Sequence, residues 1–384
     1  MSELWVILGA LVLGVGFVDV FLVVLNYDES GFIATRMCRW QWYCLRGVTR
    51  RLSRRWRPFA LRQVTGLNIL LSVTLWLGLV VVGFGLIYYG SMVGSNFDYD
   101  GRGVGAGLFS AMYLSAAQLS TVGTAQINVE TDLLRTLTIA ETLVAPLLIT
   151  LMLTFLLGVY QVIRDLRTLA ANFSDAECGV GNPLANLGSY FPQGQGLDGY
   201  LQAINDSLWS YADGLRMHHV AYFFQSGRDQ FALPYVLYTL GETLAALRWG
   251  LPSSNSISRQ PLLARLVARF ERFVDYLQHQ LGWTSDMPSP VSFENFSAAL
   301  EGTAETTDTW AGRFLRMSRH MERLARLPPA HEPREAYMRY RHWLPFAYRC
   351  ERATSAVSLD LDYQPMLATT FHTWHTGVYD HAVQ

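Results

Sequence analysis

The stretch Ser120–Ala125, with the sequence STVGTA, lies between two long apolar segments and decides how the first half of the chain is interpreted. A short amphipathic run, residues 104–119, precedes it. That run is too short and too polar to cross a bilayer, which requires about 20 apolar residues. Irregular backbone at membrane depth is tolerated only where it is buried in protein or lines a water-filled cavity. We therefore predict a re-entrant pore helix, followed by a filter loop whose carbonyl groups line a pore.

Three apolar runs surround this stretch and are long enough to span a membrane. They cover residues 4–25, about 64–93 and about 133–163. No basic region precedes the first run and no small-residue cleavage site follows it, because Tyr27, Asp28 and Glu29 come directly after it. These features favour a retained helix, and a cleaved signal peptide is the alternative.

The loop between the first two runs is strongly basic. By the positive-inside rule it is cytoplasmic, which puts the N-terminus outside and the chain beyond residue 163 in the cytoplasm of a multi-pass protein of the cell membrane. Aromatic residues interleave with the arginines, so we predict an amphipathic helix along the inner surface, bound to anionic lipid headgroups. A solvated basic linker is the alternative. The arginines and aromatic residues are Arg36, Arg39, Arg46, Arg50, Arg51, Arg54, Arg55, Arg57, Arg62, Trp40, Trp42, Tyr43 and Trp56.

Composition narrows the possible functions. The net charge is −1, so no excess of basic charge is available to neutralise phosphates, and no nucleic-acid partner is predicted. The four cysteines lack metal-ligand spacing and predict neither a disulfide framework nor a metal site. No nucleophile-elbow or phosphate-binding-loop pattern occurs, so we predict no enzymatic activity and no cofactor other than permeant K⁺ or Na⁺.

Residues from about 64 to 163 resemble the pore domain of the potassium-channel superfamily. The resemblance is carried by the order of span, short helix, Ser120–Gly123 and second span. It implies that the carbonyl groups of Thr121, Val122 and Gly123, together with the Thr121 hydroxyl, form the inner ion-binding sites. It also implies a homotetramer with cyclic symmetry, because each chain carries one such loop.

The outer part of the stretch departs from the family pattern. Thr124 stands where the family has tyrosine, Ala125 replaces the second glycine, and Gln126 replaces the usual aspartate. Because glycine permits backbone conformations that a Cβ disfavours, the outer ion sites are expected to widen or to be lost, with Thr124 as the last ion-binding position. We predict a tetrameric cation channel, potassium-conducting and gated by its cytoplasmic domain. The alternatives are a non-selective monovalent cation channel and a non-conducting signalling or scaffold protein with a vestigial loop.

Several residues are predicted to support the filter or to gate the pore. Glu141, in the third span, is expected to support the filter through Gln118 or Ser115, and Ser120 ends the pore helix beside the ion path. Asp19, in the first span, is expected to pair with a polar group on the second span, such as Asn68. Pro146 is a candidate hinge because proline removes an interior hydrogen bond. The candidate constriction is Leu151, Phe155 and Val159, which recur one helical turn apart and could equally face a neighbouring helix.

The second half has helical periodicity, and the whole chain is predicted to be an all-α membrane protein. We predict about six helices in an all-α regulatory domain of unknown ligand. The glycine pattern of residues 194–199 lacks a preceding strand and is interpreted as a loop rather than a dinucleotide site. The adjacent His218 and His219 point to different helix faces and make a poor metal-binding pair, and the sparser cluster His372, His375 and His381 lacks a carboxylate partner. The predicted segments are the first span (1–30), a basic linker (31–63), the pore domain (64–163), a second linker (164–196) and the helical domain (197–384).

Overall fold

A computed structural model describes twelve ranges of the chain, and these are almost entirely helical, as predicted. The filter residues Thr121, Val122, Gly123 and Thr124 lie outside the described residues, as do His372, His375 and His381. The described ranges are 2–24, 33–51, 57–92, 96–99, 105–120, 127–173, 184–191, 195–226, 228–284, 286–302, 308–328 and 332–363.

The chain divides into two compact units. Unit 1 comprises residues 1–162 and 213–224, and unit 2 comprises residues 163–212 and 225–384. In the first half of the chain the elements are α1 (Ser2–Val24), α2 (Ile33–Thr49), α3 (Arg57–Arg62), α4 (Val64–Ser91), β1 (Phe97–Tyr99), α5 (Leu108–Leu119), β2 (Ile127–Val129) and α6 (Asp132–Ala171).

Three helices, α1, α4 and α6, are long and apolar enough to cross a membrane. They correspond to the three apolar runs, and α6 continues to Ala171, beyond the predicted end at residue 163. Helices α1 and α4 are antiparallel, since Trp5 contacts Tyr89 and Gly9 lies against Gly83. A Cβ on Gly9 would lie 2.5 Å from the Gly83 carbonyl oxygen, so the small residue lets the two backbones approach closely.

Asp19 pairs with a polar group of the second span, as predicted, but that group is the indole of Trp76 rather than Asn68. The carboxylate of Asp19 is buried and accepts hydrogen bonds from the indole Nε1 of Trp76 (2.9 Å) and from the backbone N–H of Ile33 (2.8 Å). Ile33 is the first residue of α2, so the Asp19 side chain accepts one of the N–H groups that have no acceptor within that helix. The sequence does not reveal this partner, because the α2 backbone reaches Asp19 only through the tertiary fold.

The basic linker contains the amphipathic helix that its sequence predicts, α2. Its buried face carries Cys38 and Trp42, and the Sγ of Cys38 lies 3.5 Å from the Ser72 Oγ of α4. Its exposed side carries Arg36, Arg39, Trp40 and Tyr43, the mixture of basic and aromatic residues that the sequence analysis assigns to lipid headgroups.

A short two-stranded ladder, which the sequence analysis did not predict, closes the base of the excursion between α4 and α6. Strand β1 pairs antiparallel with β2 in the register Phe97↔Val129 and Tyr99↔Ile127. Beyond the ladder, the Glu130 N–H donates to the Asn96 carbonyl over 3.0 Å. The chain therefore leaves α4 and returns to α6 through one paired stem.

Six α-helices in the described part of the second half match the predicted number. They are α7 (Leu197–Met217), α8 (Leu233–Ala245), α9 (Pro261–Leu281), α10 (Phe293–Leu300), α11 (Thr309–Leu324) and α12 (Pro333–Asp360). Helix α8 continues into a π-helical turn, Ala246–Gly250. Ser292 and Asp308 cap α10 and α11, because their side chains accept hydrogen bonds from the Asn295 and Ala311 N–H groups.

A buried arginine secures the end of the π-helical turn in unit 2. Arg339 of α12 donates through Nη1 to the carbonyl oxygens of Trp249 (2.9 Å) and Gly250 (3.1 Å) and to the Ser318 hydroxyl (3.1 Å). Its Nε donates to Glu335 over 2.8 Å. Arginine suits this position because its several N–H donors can satisfy carbonyl groups that no helical N–H reaches.

Candidate functional site

Helix α5 is anchored between α4 and α6 directly before the STVGTA stretch. One face of α5 is buried and includes Ala111, Leu114 and Ser115. Close packing on α4 is possible at Gly85, where a Cβ would lie 2.5 Å from the Met112 sulfur. The opposite side exposes Phe109 and Tyr113. The amphipathic pattern thus holds α5 against its own chain on one side and leaves an aromatic side uncovered.

Glu141 forms the centre of this anchor. One carboxylate oxygen, Oε1, accepts a hydrogen bond from the Ser115 hydroxyl of α5 over 2.5 Å. The other, Oε2, accepts one from the Tyr88 hydroxyl of α4 over 2.6 Å. All three side chains are fully buried. One carboxylate therefore joins three helices, and its two oxygens each satisfy a different buried donor.

The candidate filter-support residues Ser115, Gln118 and Ser120 have different hydrogen-bonding partners. Ser115 bonds to Glu141, which is one of the two partners that the sequence analysis considers, whereas the Gln118 Oε1 lies 3.5 Å from the Thr142 hydroxyl of α6. Ser120 ends α5, and its hydroxyl donates to the Ala117 carbonyl over 2.9 Å. Ser120 is exposed.

Tyr88 is the residue that sequence reasoning missed. It lies at the end of the second apolar run, where aromatic residues are common at membrane interfaces, so an interfacial role is the ordinary expectation. Its ring is fully buried and contacts Phe84 and Phe97. A tyrosine hydroxyl that is buried needs a hydrogen-bonding partner, and a carboxylate in the facing span is the signal that could have identified the pair.

The three residues of the candidate constriction on α6, Leu151, Phe155 and Val159, differ in their exposure. Phe155 and Val159 are buried, and the Phe155 ring lies 5.3 Å from Trp76 of α4. Phe155 thus faces a neighbouring helix, which is one of the two predicted arrangements, while Val159 is also buried and Leu151 is only partly exposed. The exposed face of α6 instead carries Leu143, Leu147, Thr150, Leu153, Thr154 and Leu157.

Pro146 lies within α6, which continues on both sides of it. Its ring removes one backbone donor, and the nearby Thr150 hydroxyl donates to the Pro146 carbonyl over 2.9 Å. Thr154 repeats this pattern towards the Thr150 carbonyl over 3.0 Å. Such hydroxyl bonds to the preceding turn bend helices slightly, so α6 carries two independent causes of bending around Pro146.

Comparison with known proteins adds no family to this description. No protein-family model matches the chain, and neither a curated protein nor a solved structure matches it significantly.

Proposed function

We propose that the chain is one subunit of a tetrameric cation channel that conducts potassium and is gated by its second half. The observation that carries the proposal is the buried contact of Glu141 with Ser115 and Tyr88. A short helix held between two candidate spans at its C-terminal turn can fix the backbone that follows it, and a rigid backbone is what carbonyl coordination of an ion requires.

The proposed topology follows the distribution of charge. The N-terminus is outside and the basic segment with α2 is cytoplasmic, as are the residues beyond α6. The uncovered aromatic side of α5 and the exposed face of α6 then meet other subunits or the pore. Four copies around one axis complete the ion path, because one loop per chain cannot enclose an ion.

The reversal potential tests this function directly. The purified protein is reconstituted in planar bilayers with potassium on one side and sodium on the other. We expect a reversal potential near the potassium equilibrium value, because the Thr121–Gly123 segment retains the inner family pattern. A value near zero would support the non-selective alternative, which Thr124 and Ala125 favour. Absence of current, together with a monomer or dimer in detergent, would contradict the channel and favour the scaffold.

Cysteine accessibility tests which face of α6 lines the pore. We expect Leu157→Cys channels to lose more than about half of their current when a charged thiol reagent is added from the cytoplasmic side, since Leu157 is 61% exposed. Val159→Cys is the matched variant, because Val159 is 0% exposed and should not react. The unsubstituted protein controls for the native cysteines. Block of Val159→Cys without block of Leu157→Cys would contradict the assignment.

A further inference from the structure

A short segment from the second half of the chain belongs to unit 1. Helix α7 ends at Met217, and residues 213–224 are part of unit 1 together with α1–α6 up to Val162. The segment includes a 3₁₀ helix, His219–Phe223. Its Phe223 ring lies 5.8 Å from Trp42 of α2, and its His218 ring lies 5.9 Å from Phe155 of α6. The segment therefore packs on two helices of unit 1 with aromatic side chains.

His218 occupies a notch in α6 that a glycine creates. A Cβ added at Gly158 would lie 2.8 Å and 2.9 Å from two carbon atoms of the His218 ring, closer than such atoms approach one another. A second tight contact lies one turn further on, where a Cβ at Gly214 would be 2.7 Å from a methyl group of Val162. The segment and α6 thus interlock at Gly158 and Gly214, and neither position tolerates a larger side chain without a shift.

Several polar atoms of this segment and of the helices that contact it are buried without a hydrogen-bonding partner among the described residues. They include Nδ1 of His218, both amide atoms of Asn68, Oγ1 of Thr65 and Oε1 of Gln41. Asn68 and Thr65 belong to α4, which contacts the His219–Phe223 helix, and Gln41 is adjacent to Trp42 on α2. Buried polar groups without partners disfavour a packed state relative to one in which water reaches them. The docked arrangement is held by shape and by aromatic packing more than by hydrogen bonds.

We propose that residues 213–224, the latch, dock reversibly on α2, α4 and α6 through His218 in the Gly158 notch, and that protonation of His218 and His219 releases them. The functional consequence rests on the proposed channel, in which α6 is the pore-lining helix. While docked, the latch holds the Phe155–Val162 part of α6 against the other helices of unit 1. Release frees that part of α6 to move and opens the pore.

The charges around the histidines set the direction of this response. Burial lowers the pKa of His218, and burial together with the positive charge of Arg39 lowers the pKa of His219 to about 4. Arg39 belongs to α2, whereas residues 64–80 of α4 include no ionisable side chain and residues 155–162 of α6 include only Tyr160, which is exposed. The latch itself contributes Asp213, Arg216 and Tyr222. No carboxylate on α2, α4 or this part of α6 offsets the imidazolium charge, because those elements have none.

The sign of the pH effect follows from the lowered pKa values. The docked histidines prefer to be neutral, so docking is strongest above the ordinary histidine pKa of 6.5 and weakens as the pH falls towards the docked value of about 4. Between pH 8 and pH 5, the His219 shift alone reduces the docking equilibrium constant on the order of 30-fold. Acid on the side of the second half therefore opens the channel.

Hydrogen–deuterium exchange of the full chain in lipid nanodiscs tests the latch without measuring conduction. We expect the amides of residues 219–224 to lose protection at pH 5 relative to pH 8, after correction for intrinsic exchange. The variant His218→Gln with His219→Gln should keep its protection at pH 5, since glutamine does not titrate. His279→Gln, an exposed histidine on α9, is the matched control and should respond as the unsubstituted protein does. Protection that does not change with pH in the unsubstituted protein would overturn the proposal.

A steric variant tests the notch at constant pH. Gly158→Ala should reduce the protection of the latch at pH 8, and adding His218→Ala should restore it by removing the clashing ring. If His218→Ala restores the protection, the loss in Gly158→Ala comes from release of the latch, because a misfolded protein would not recover when the ring is removed. Gly78→Ala is the control, because a Cβ at Gly78 meets no atom within 4 Å. Unchanged protection in Gly158→Ala would overturn the role of the notch.

Currents recorded at both pH values separate the latch from the channel. If hydrogen–deuterium exchange shows that acid releases the latch but no current is recorded, the latch is supported and the proposed channel is contradicted. If the current rises at low pH while the protection of the latch amides stays constant, the channel is supported and the latch is contradicted.

Discussion

In the proposed channel, Glu141→Ala should reduce the potassium current to about one tenth or less of that of the unsubstituted protein, per tetramer reconstituted. The alanine leaves the Ser115 and Tyr88 hydroxyls buried without an acceptor, and each such group costs about 1–3 kcal/mol. Because 1.4 kcal/mol is a factor of about ten in population, the conducting arrangement of α5 becomes the minor one. The measurement is macroscopic current in bilayers, normalised to the tetramer peak in size-exclusion chromatography.

Two matched variants show whether the effect belongs to the three-helix contact. Glu141→Gln keeps an acceptor oxygen and adds a donor that a rotated hydroxyl can accept, so it should retain most of the current. Glu130→Ala removes an acidic side chain that is exposed and pairs with Arg135 over 3.4 Å, and it should behave like the unsubstituted protein. Equal currents in Glu141→Ala and Glu130→Ala would refute the assignment of Glu141 to filter support.

Arg339→Ala should lower the free energy of unfolding by about 3–5 kcal/mol, the usual consequence of removing one partner from a buried charged network. The variant removes the Arg339 donor from Glu335 and from the Trp249 carbonyl, and it leaves the Gly250 carbonyl with the Ser318 hydroxyl as its remaining donor. Pulse proteolysis of the full chain in detergent, with increasing urea, measures the change.

Arg341→Ala provides the comparison, since Arg341 is on the same helix and is exposed. It should change the unfolding free energy by less than about 0.5 kcal/mol. If the two variants unfold at the same urea concentration, the Arg339 contacts contribute no more than a surface charge does.

The sequence predicts those features of unit 1 that depend on local pattern. Apolar length alone identifies α1, α4 and α6, and the alternation of basic and apolar residues identifies α2. Features that depend on which faces meet could not be predicted. A spacing of four residues places Leu151, Phe155 and Val159 near one another, but it does not say that Trp76 of α4 covers Phe155. The β1–β2 ladder was missed because three-residue strands leave no periodicity to detect.

The candidate site shows the same division. A carboxylate within an apolar run needs a partner, and this requirement predicts that Glu141 contacts the pore helix, with Ser115 as one of two choices. To choose Ser115 over Gln118, one must know how α5 is rotated about its own axis. That rotation depends on packing between helices, such as the close contact of Met112 with Gly85. Identifying Tyr88 as the second partner of Glu141 also requires knowing which side of α4 faces α6. The latch was beyond sequence reasoning, because no local signal associates residues 213–224 with the residues of α2, α4 and α6 that they contact, such as Phe155 and Val162, which lie about fifty or more residues earlier in the chain.

The hydrogen bond between Asp19 and Trp76 bears on how the protein is made. In the proposed topology α1 leaves the ribosome first, and its carboxylate has no indole partner until Trp76 is synthesised. Asp19 lies five residues before the end of α1, and an aspartate in an inserting helix is unfavourable by an amount that reaches roughly 2.5–3.5 kcal/mol at the helix centre on the insertion scale. The first helix therefore becomes fully compatible with the lipid only when α4 arrives beside it, so biogenesis favours insertion of the two helices as a pair rather than one after the other.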